Sequence, residues 1–205
     1  MIESIDNTIQ ILTAGIGLAI SLVRTVKTEK SEWLLLSLSF SGFFLGDFYY
    51  QAFLIFYDDT PQFSDIPYYS WAAAYLFLFM ILLRIRNNNR NAQVSRIVWL
   101  VPVFVAANFV IYVMHGDIIW SIIDSAFMCG LMWCALSGLL DPDEQKQRKG
   151  FYAAVLAVGI IEHGLWTTSC FWLGDSIINP YFWFDFLLSM VFLVLIPTLR
   201  KAVEE

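Results

Sequence analysis

The chain is 205 residues long, 59% hydrophobic and only 15% charged, with a formal net charge of −6. A kinase, cyclase or nucleotide-binding module needs on the order of a hundred residues of its own, and no polar stretch here approaches that length. Soluble catalytic domains are therefore excluded, and the acidic balance argues against nucleic acid as a partner.

Apolar runs recur at 8–23, 33–57, 66–83, 97–114, 118–140, 150–174 and 178–199, each near the ~20 residues that cross a hydrocarbon core. They predict an all-α, polytopic integral membrane protein with seven transmembrane helices, a single domain over 1–205.

The first run follows Met1 to Asn7, which holds Glu3 and Asp6 but no cationic side chain, so it does not read as the basic start of a cleaved signal peptide. The second contains Ser41-Gly42-Phe43-Phe44-Leu45-Gly46-Asp47, with Tyr50 and Gln51 three and four residues beyond the aspartate and hence on its helical face. Asp58, Asp59, Asp65 and a Pro61-Gln62 pair precede the third run, which opens on Pro67-Tyr68-Tyr69-Ser70-Trp71. Proline suits a first helical turn, and the rings suit a membrane interface. A polar loop at Asn87 to Asn91 leads to the fourth run, with Pro102 near its start and Asn108 and Tyr112 on one face. The fifth carries Asp124 with Trp120 four residues earlier, and Asp141-Pro142-Asp143-Glu144 stops it. Glu162 and His163 lie in the sixth, with Trp166 and Thr167 three and four residues past the histidine. The seventh opens on Pro180-Tyr181-Phe182-Trp183 and places Asp185 four residues after Tyr181 and four before Ser189. The parallel between the third and seventh openings hints at two three-helix halves joined by the fourth span.

All twelve cations fall in four polar segments: Arg24, Lys27 and Lys30; Arg84, Arg86, Arg90 and Arg96; Lys146, Arg148 and Lys149; Arg200 and Lys201. The polar segments between those groups hold acids and no Lys or Arg. Because cytoplasmic loops retain Lys and Arg, this alternation predicts an N-terminus outside and a C-terminus in the cytoplasm, in a cell membrane. The basic loops face the inner leaflet, where anionic lipid or a cytoplasmic partner would meet them.

Asp47, Asp124, Glu162 and Asp185, with His163, are the residues that membrane insertion does not explain. An ionised aspartate at the centre of a lipid-facing helix costs about 2.5–3.5 kcal/mol, so these groups face protein, water or a cation. With the predicted orientation all five fall in the middle or outer half of their spans, and a shared cavity open to the outside is expected. Asp47, Tyr50, Gln51, Asn108, Asp124, Glu162, His163, Trp166, Tyr181 and Asp185 are its candidate ligand-binding residues. Like charges side by side need a counter-cation, and the spans supply none but His163. Protons, a divalent metal held by Asp47, Asp124, Glu162, His163 or Asp185, and an organic ammonium all meet that need. Cys129, Cys134 and Cys170 lie within spans and read as buried thiols rather than as a disulfide.

Two functions follow. The first is transport or sensing of a cation or cationic small molecule at an acidic, aromatic-lined site. The alternative is a lipid hydrolase in which Asp47, Glu162 and His163 are catalytic, one activating water and another donating a proton. The run from Ser41 to Asp47 resembles the Gly-Asp span of lysoplasmalogenase-type membrane hydrolases, over that one helix. No lysine in the seventh run offers a retinal attachment point, and two histidines are too few for a ceramidase-like metal site.

Overall fold

The computed structural model describes residues 2–57, 66–86, 95–172 and 174–204. The acidic connection with Asp58, Asp59, Asp65 and the Pro61-Gln62 pair, and the Asn87 to Asn91 loop with Arg90, lie outside the described residues. Seven long helices make up the rest: α1 (Ile2–Thr28), α2 (Ser31–Tyr57), α3 (Ile66–Ile85), α4 (Leu100–His115), α5 (Ile118–Leu140), α6 (Lys146–Phe171) and α7 (Pro180–Glu204). A single 3-10 turn, Arg96–Trp99, leads into α4.

Six of the seven helices, α4 taken with its leading turn, are long and apolar enough to cross a membrane, and the chain is a multi-pass membrane protein. The exception is α2, which at 27 residues has the length but dilutes its Leu and Phe with Ser37, Ser39, Ser41, Asp47 and Gln51. Ser37, Ser39 and Asp47 are buried, so much of this polarity points into the bundle. The helix ends have local causes. Glu29 stops α1 in the left-handed conformation, φ 55°, and Asp117 caps α5 by accepting the Trp120 backbone N–H at 3.0 Å.

Helices α1, α2, α3, α5, α6 and α7 pack in that order, and α7 returns to α1, closing a ring of six. Outside the ring, α4 rests on α5 and α6. At the basic end the ring is filled by Trp33, Leu36 and Phe40 of α2, Leu78 and Ile81 of α3, Met128 and Leu131 of α5, Tyr152 of α6 and Leu195 of α7, all buried. Above them Phe192 meets Phe43 with ring centres 4.4 Å apart and Phe40 at 6.0 Å. Polar ties close the same end. Glu204 accepts the Trp33 indole N–H at 3.0 Å and lies 3.5 Å from Arg24 and 3.4 Å from Arg200, while Lys30 donates to the Val203 carbonyl.

The helices outrun the apolar stretches that predict them. α1 begins at Ile2 rather than near residue 8, so Glu3, Asp6 and Asn7 are helical, and Asp6, assigned by sequence to the exposed N-terminal segment, is buried. The early turns hold because their polar groups find partners: Asn7 donates to Gln51 at 2.8 Å, and the Glu3 backbone N–H reaches Asp175 at 3.1 Å. In the same way α6 starts at Lys146 and α7 continues to Glu204.

Two glycines let α3 close on α2. A Cβ at Gly42 would lie 2.7 Å from the Ser70 carbonyl oxygen, and one at Gly46 would lie 2.5 Å from the Trp71 indole nitrogen. Overpacking of this kind costs about 1–3 kcal/mol. Gly46→Ala is therefore expected to lower the thermal unfolding midpoint in detergent, whereas Gly130→Ala, whose Cβ would meet nothing nearer than Phe79 at 3.6 Å, should leave it unchanged or raise it. Equal effects of the two substitutions would contradict this packing.

Candidate functional site

Opposite the apolar floor, the acidic end of the ring is open. Asp47, Glu162 and Asp185 come together there from α2, α6 and α7, each exposing only 1–6% of its surface. Each carboxyl accepts one N–H. The Trp71 indole donates to Asp47 Oδ1 at 2.8 Å, the Trp166 indole to Glu162 Oε1 at 3.0 Å, and Gln10 Nε2 to Asp185 Oδ1 at 2.7 Å. The local reasons are visible in the chain. Trp71 sits one turn into α3 with its indole seated on Gly46, beside Asp47, and Trp166 lies one helical turn after Glu162. The second oxygens, Asp47 Oδ2, Glu162 Oε2 and Asp185 Oδ2, are buried and lie outside good hydrogen-bonding geometry with any described donor, with the Tyr75 hydroxyl standing beside the Glu162 carboxyl. Asp6 of α1 packs carboxyl to carboxyl against Asp185. Two carboxylates in contact need a cation between them, a proton or one carried by a ligand.

These groups line a cavity of about 380 Å³. Phe43 and Leu188 contribute to it at the Phe192 side, and Glu3, Gly174, Asp175 and Asn179 lie at its mouth, where α1 starts and α6 connects to α7. Tyr50, Tyr68, Trp71, Tyr75, Trp166 and Tyr181 form much of the wall. Five of the lining residues carry carboxyl groups, Glu3, Asp47, Glu162, Asp175 and Asp185, and none is Lys, Arg or His.

A second cavity, also about 380 Å³, lies between α3, α4, α5 and α6 and reaches the same end of the bundle at His115, Gly116 and Asp117. Asp124, half-buried, faces it beside Trp120, Ile123 and Phe127. The two cavities share a wall made of Tyr68, Trp71, Tyr75, Glu162, Trp166 and Ser169.

Of the residues singled out by sequence, Asp47, Tyr50, Glu162, Trp166, Tyr181 and Asp185 meet in the first cavity, and Asp124 meets Glu162 and Trp166 at the second. Gln51, Asn108 and His163 line neither. Gln51 is taken up by Asn7. Asn108 accepts the Thr167 hydroxyl at 2.8 Å, and the His163 Nδ1 pairs with the Tyr112 hydroxyl at 2.9 Å, so these four groups join α4 to α6. Consecutive residues on a helix point about 100° apart, which turns His163 away from the cavity that Glu162 lines and separates the hydrolase's expected partners. Among the described residues no three His, Cys, Asp or Glu side chains gather closely enough to hold a metal ion.

Sequence reasoning predicts the first helix but misses its part in the site. Glu3, Asn7 and Gln10 form one helical stripe and all line the first cavity, a spacing visible in the chain but hidden by starting the first span at its apolar run. Comparison with protein-family models, curated proteins and solved structures finds no match to this chain.

The indole bond to Asp47 gives a direct test. Trp71→Phe leaves a buried carboxyl without its donor, a loss of about 1–3 kcal/mol, whereas Trp71→Phe combined with Asp47→Leu removes both partners. Unfolding in detergent should show the double variant less destabilised than the sum of the singles; strict additivity would mean that the bond contributes nothing.

Proposed function

We propose that this protein is a small seven-span membrane transporter or binding protein that takes up an organic cation, an ammonium compound, from the exterior at the acidic cavity. In this reading α2 also crosses the membrane, shielded by its neighbours in the ring, and the chain runs N-out and C-in in the cell membrane. The observation that carries the proposal is the lining of the first cavity. It has five carboxyl-bearing residues and no cationic side chain, and buried Asp47 and Glu162 each present an unpartnered oxygen beside indole and phenol rings.

Carboxylates attract a cation by charge. Tryptophan and tyrosine faces attract one by their ring quadrupole, worth about 0.5–2 kcal/mol each and most when the cation is desolvated. Together they favour an organic ammonium, which sheds water more readily than a small metal ion and fills a cavity of this size. This end of the bundle, which carries acids and no Lys or Arg among the described residues, concentrates cations at the mouth.

Transport is further supported by the ring. α1 to α3 and α5 to α7 are connected in the same order around it. In each half a ring four residues after the opening proline packs on a glycine of the preceding helix: Trp71 on Gly46, and Phe184 on Gly164. Two such halves rocking about a central site is a recurring way to alternate access.

Two measurements test the proposal. In a background lacking native cysteines, Ser4→Cys and Ser176→Cys should react with a membrane-impermeant maleimide added to whole cells, and Gln147→Cys should not; the reverse pattern would overturn the orientation. Tetramethylammonium should stabilise the purified protein in an uncharged detergent, and Asp47→Asn or Glu162→Gln should weaken its affinity at least about ten-fold, ~1.4 kcal/mol or more. Unchanged stabilisation in both variants would remove the site.

A further inference from the structure

We infer that the second cavity receives the apolar tail of the ligand whose ammonium head the first cavity binds, so the preferred ligand is an arylalkyl or branched-alkyl ammonium rather than a compact cation. This rests on the ammonium reading above and names the class within it.

The two spaces adjoin across shared residues. They share a wall, and Glu162 stands in it, lining both. A cation drawn to the unpartnered Glu162 Oε2 is therefore within reach of Asp47 on one side and of the second cavity on the other. The rings of that wall touch one another. Trp71 and Trp166 meet edge to face at 6.3 Å, and Tyr68 lies 5.4 Å from Trp71, 6.1 Å from Trp166 and 5.8 Å from Trp120. Tyr68 thus links the rings beside the acids to the ring that begins the second space.

The linings then divide the labour. Beyond the shared wall the first cavity adds Glu3, Asp47, Asp175 and Asp185, while the second adds Ala72, Tyr112, Trp120, Ile123 and Phe127 against Asp117 at its mouth and Asp124. A compact ammonium would use the first and leave the second, of equal volume, without a role. An ammonium bearing a phenyl or branched alkyl group can place its head in one and its tail in the other. A zwitterionic lipid offers the same head, but its phosphate would lie among carboxyls with no Lys or Arg to receive it, which favours a soluble ligand of net positive charge.

The test compares tetramethylammonium with benzyltrimethylammonium by calorimetry on the full chain in maltoside micelles. Burying a phenyl group predicts binding about ten-fold tighter or more for the benzyl compound. Ala72→Phe, which fills the second cavity, should cut that preference to about two-fold or less; Ile123→Ala, which removes packing from the tail without adding bulk, should reduce it as well and serves if the first variant does not fold. A preference that survives both changes overturns the inference and leaves the acidic site standing. If neither compound binds the wild-type chain, the ammonium reading fails and the inference with it. A short-chain phosphatidylcholine that displaces the benzyl compound would overturn the net-cation assignment, and a linear diamine binding as tightly would put a second cation at Asp124 in place of an apolar tail.

Discussion

A carboxyl buried inside an apolar helix bundle must be matched, and here the protein matches each one only halfway. Asp47, Glu162 and Asp185 each receive a single N–H, from Trp71, Trp166 and Gln10, and the second oxygen of each is poorly met: that of Asp47 has no donor, that of Glu162 has only the Tyr75 hydroxyl nearby, and that of Asp185 faces the carboxyl of Asp6. The N–H fixes the carboxyl in place; the bare oxygen leaves it hungry for a cation. Structural glue looks different: the contact of α4 with α6 through Asn108, Thr167, Tyr112 and His163 is made of direct side-chain hydrogen bonds between the two helices. The half-satisfied set is costly to fold, and in the proposed function a ligand that completes it recovers that cost on binding.

The rest of the bundle serves that arrangement. Glycines bring α3 against α2 so that the Trp71 indole can reach Asp47. The Phe43, Phe40 and Phe192 cluster closes the site from the basic end, where Glu204 ties the start of α2 to the ends of α1 and α7. With one end sealed by apolar rings and ion pairs and the other open between acids, the conformation described is the one in which the cavity communicates with a single side.

Much of this was legible from residue spacing. Apolar runs and breaks in them locate the seven helices, because burial in hydrocarbon leaves a strong linear signal. A charged residue inside such a run is conspicuous, which is why Asp47, Glu162 and Asp185 stood out. What periodicity cannot convey is which helices adjoin. The ring order that brings α2, α6 and α7 to one cavity while leaving α4 outside depends on packing between distant segments. Helix geometry also decides between neighbours in sequence: Glu162 and His163 are adjacent, yet one faces the cavity and the other α4. Asp6 escaped because polar residues before the first apolar run look like an exposed tail until Asp185 and Gln51 are seen to receive that helix, and Gln10, within the run, escaped because a lone uncharged polar residue there carries no sign of its partner.

The central claim is that a cation completes the bare oxygens of Asp47 and Glu162 inside a cage of indoles. Tetramethylarsonium keeps the shape and charge of the ammonium head and marks it by anomalous scattering, so crystals grown with it test the claim at the level of atoms. The account predicts one arsenic peak between Asp47 and Glu162, flanked by Trp71 and Trp166. A peak elsewhere in the molecule, or none at saturating concentration, would contradict it.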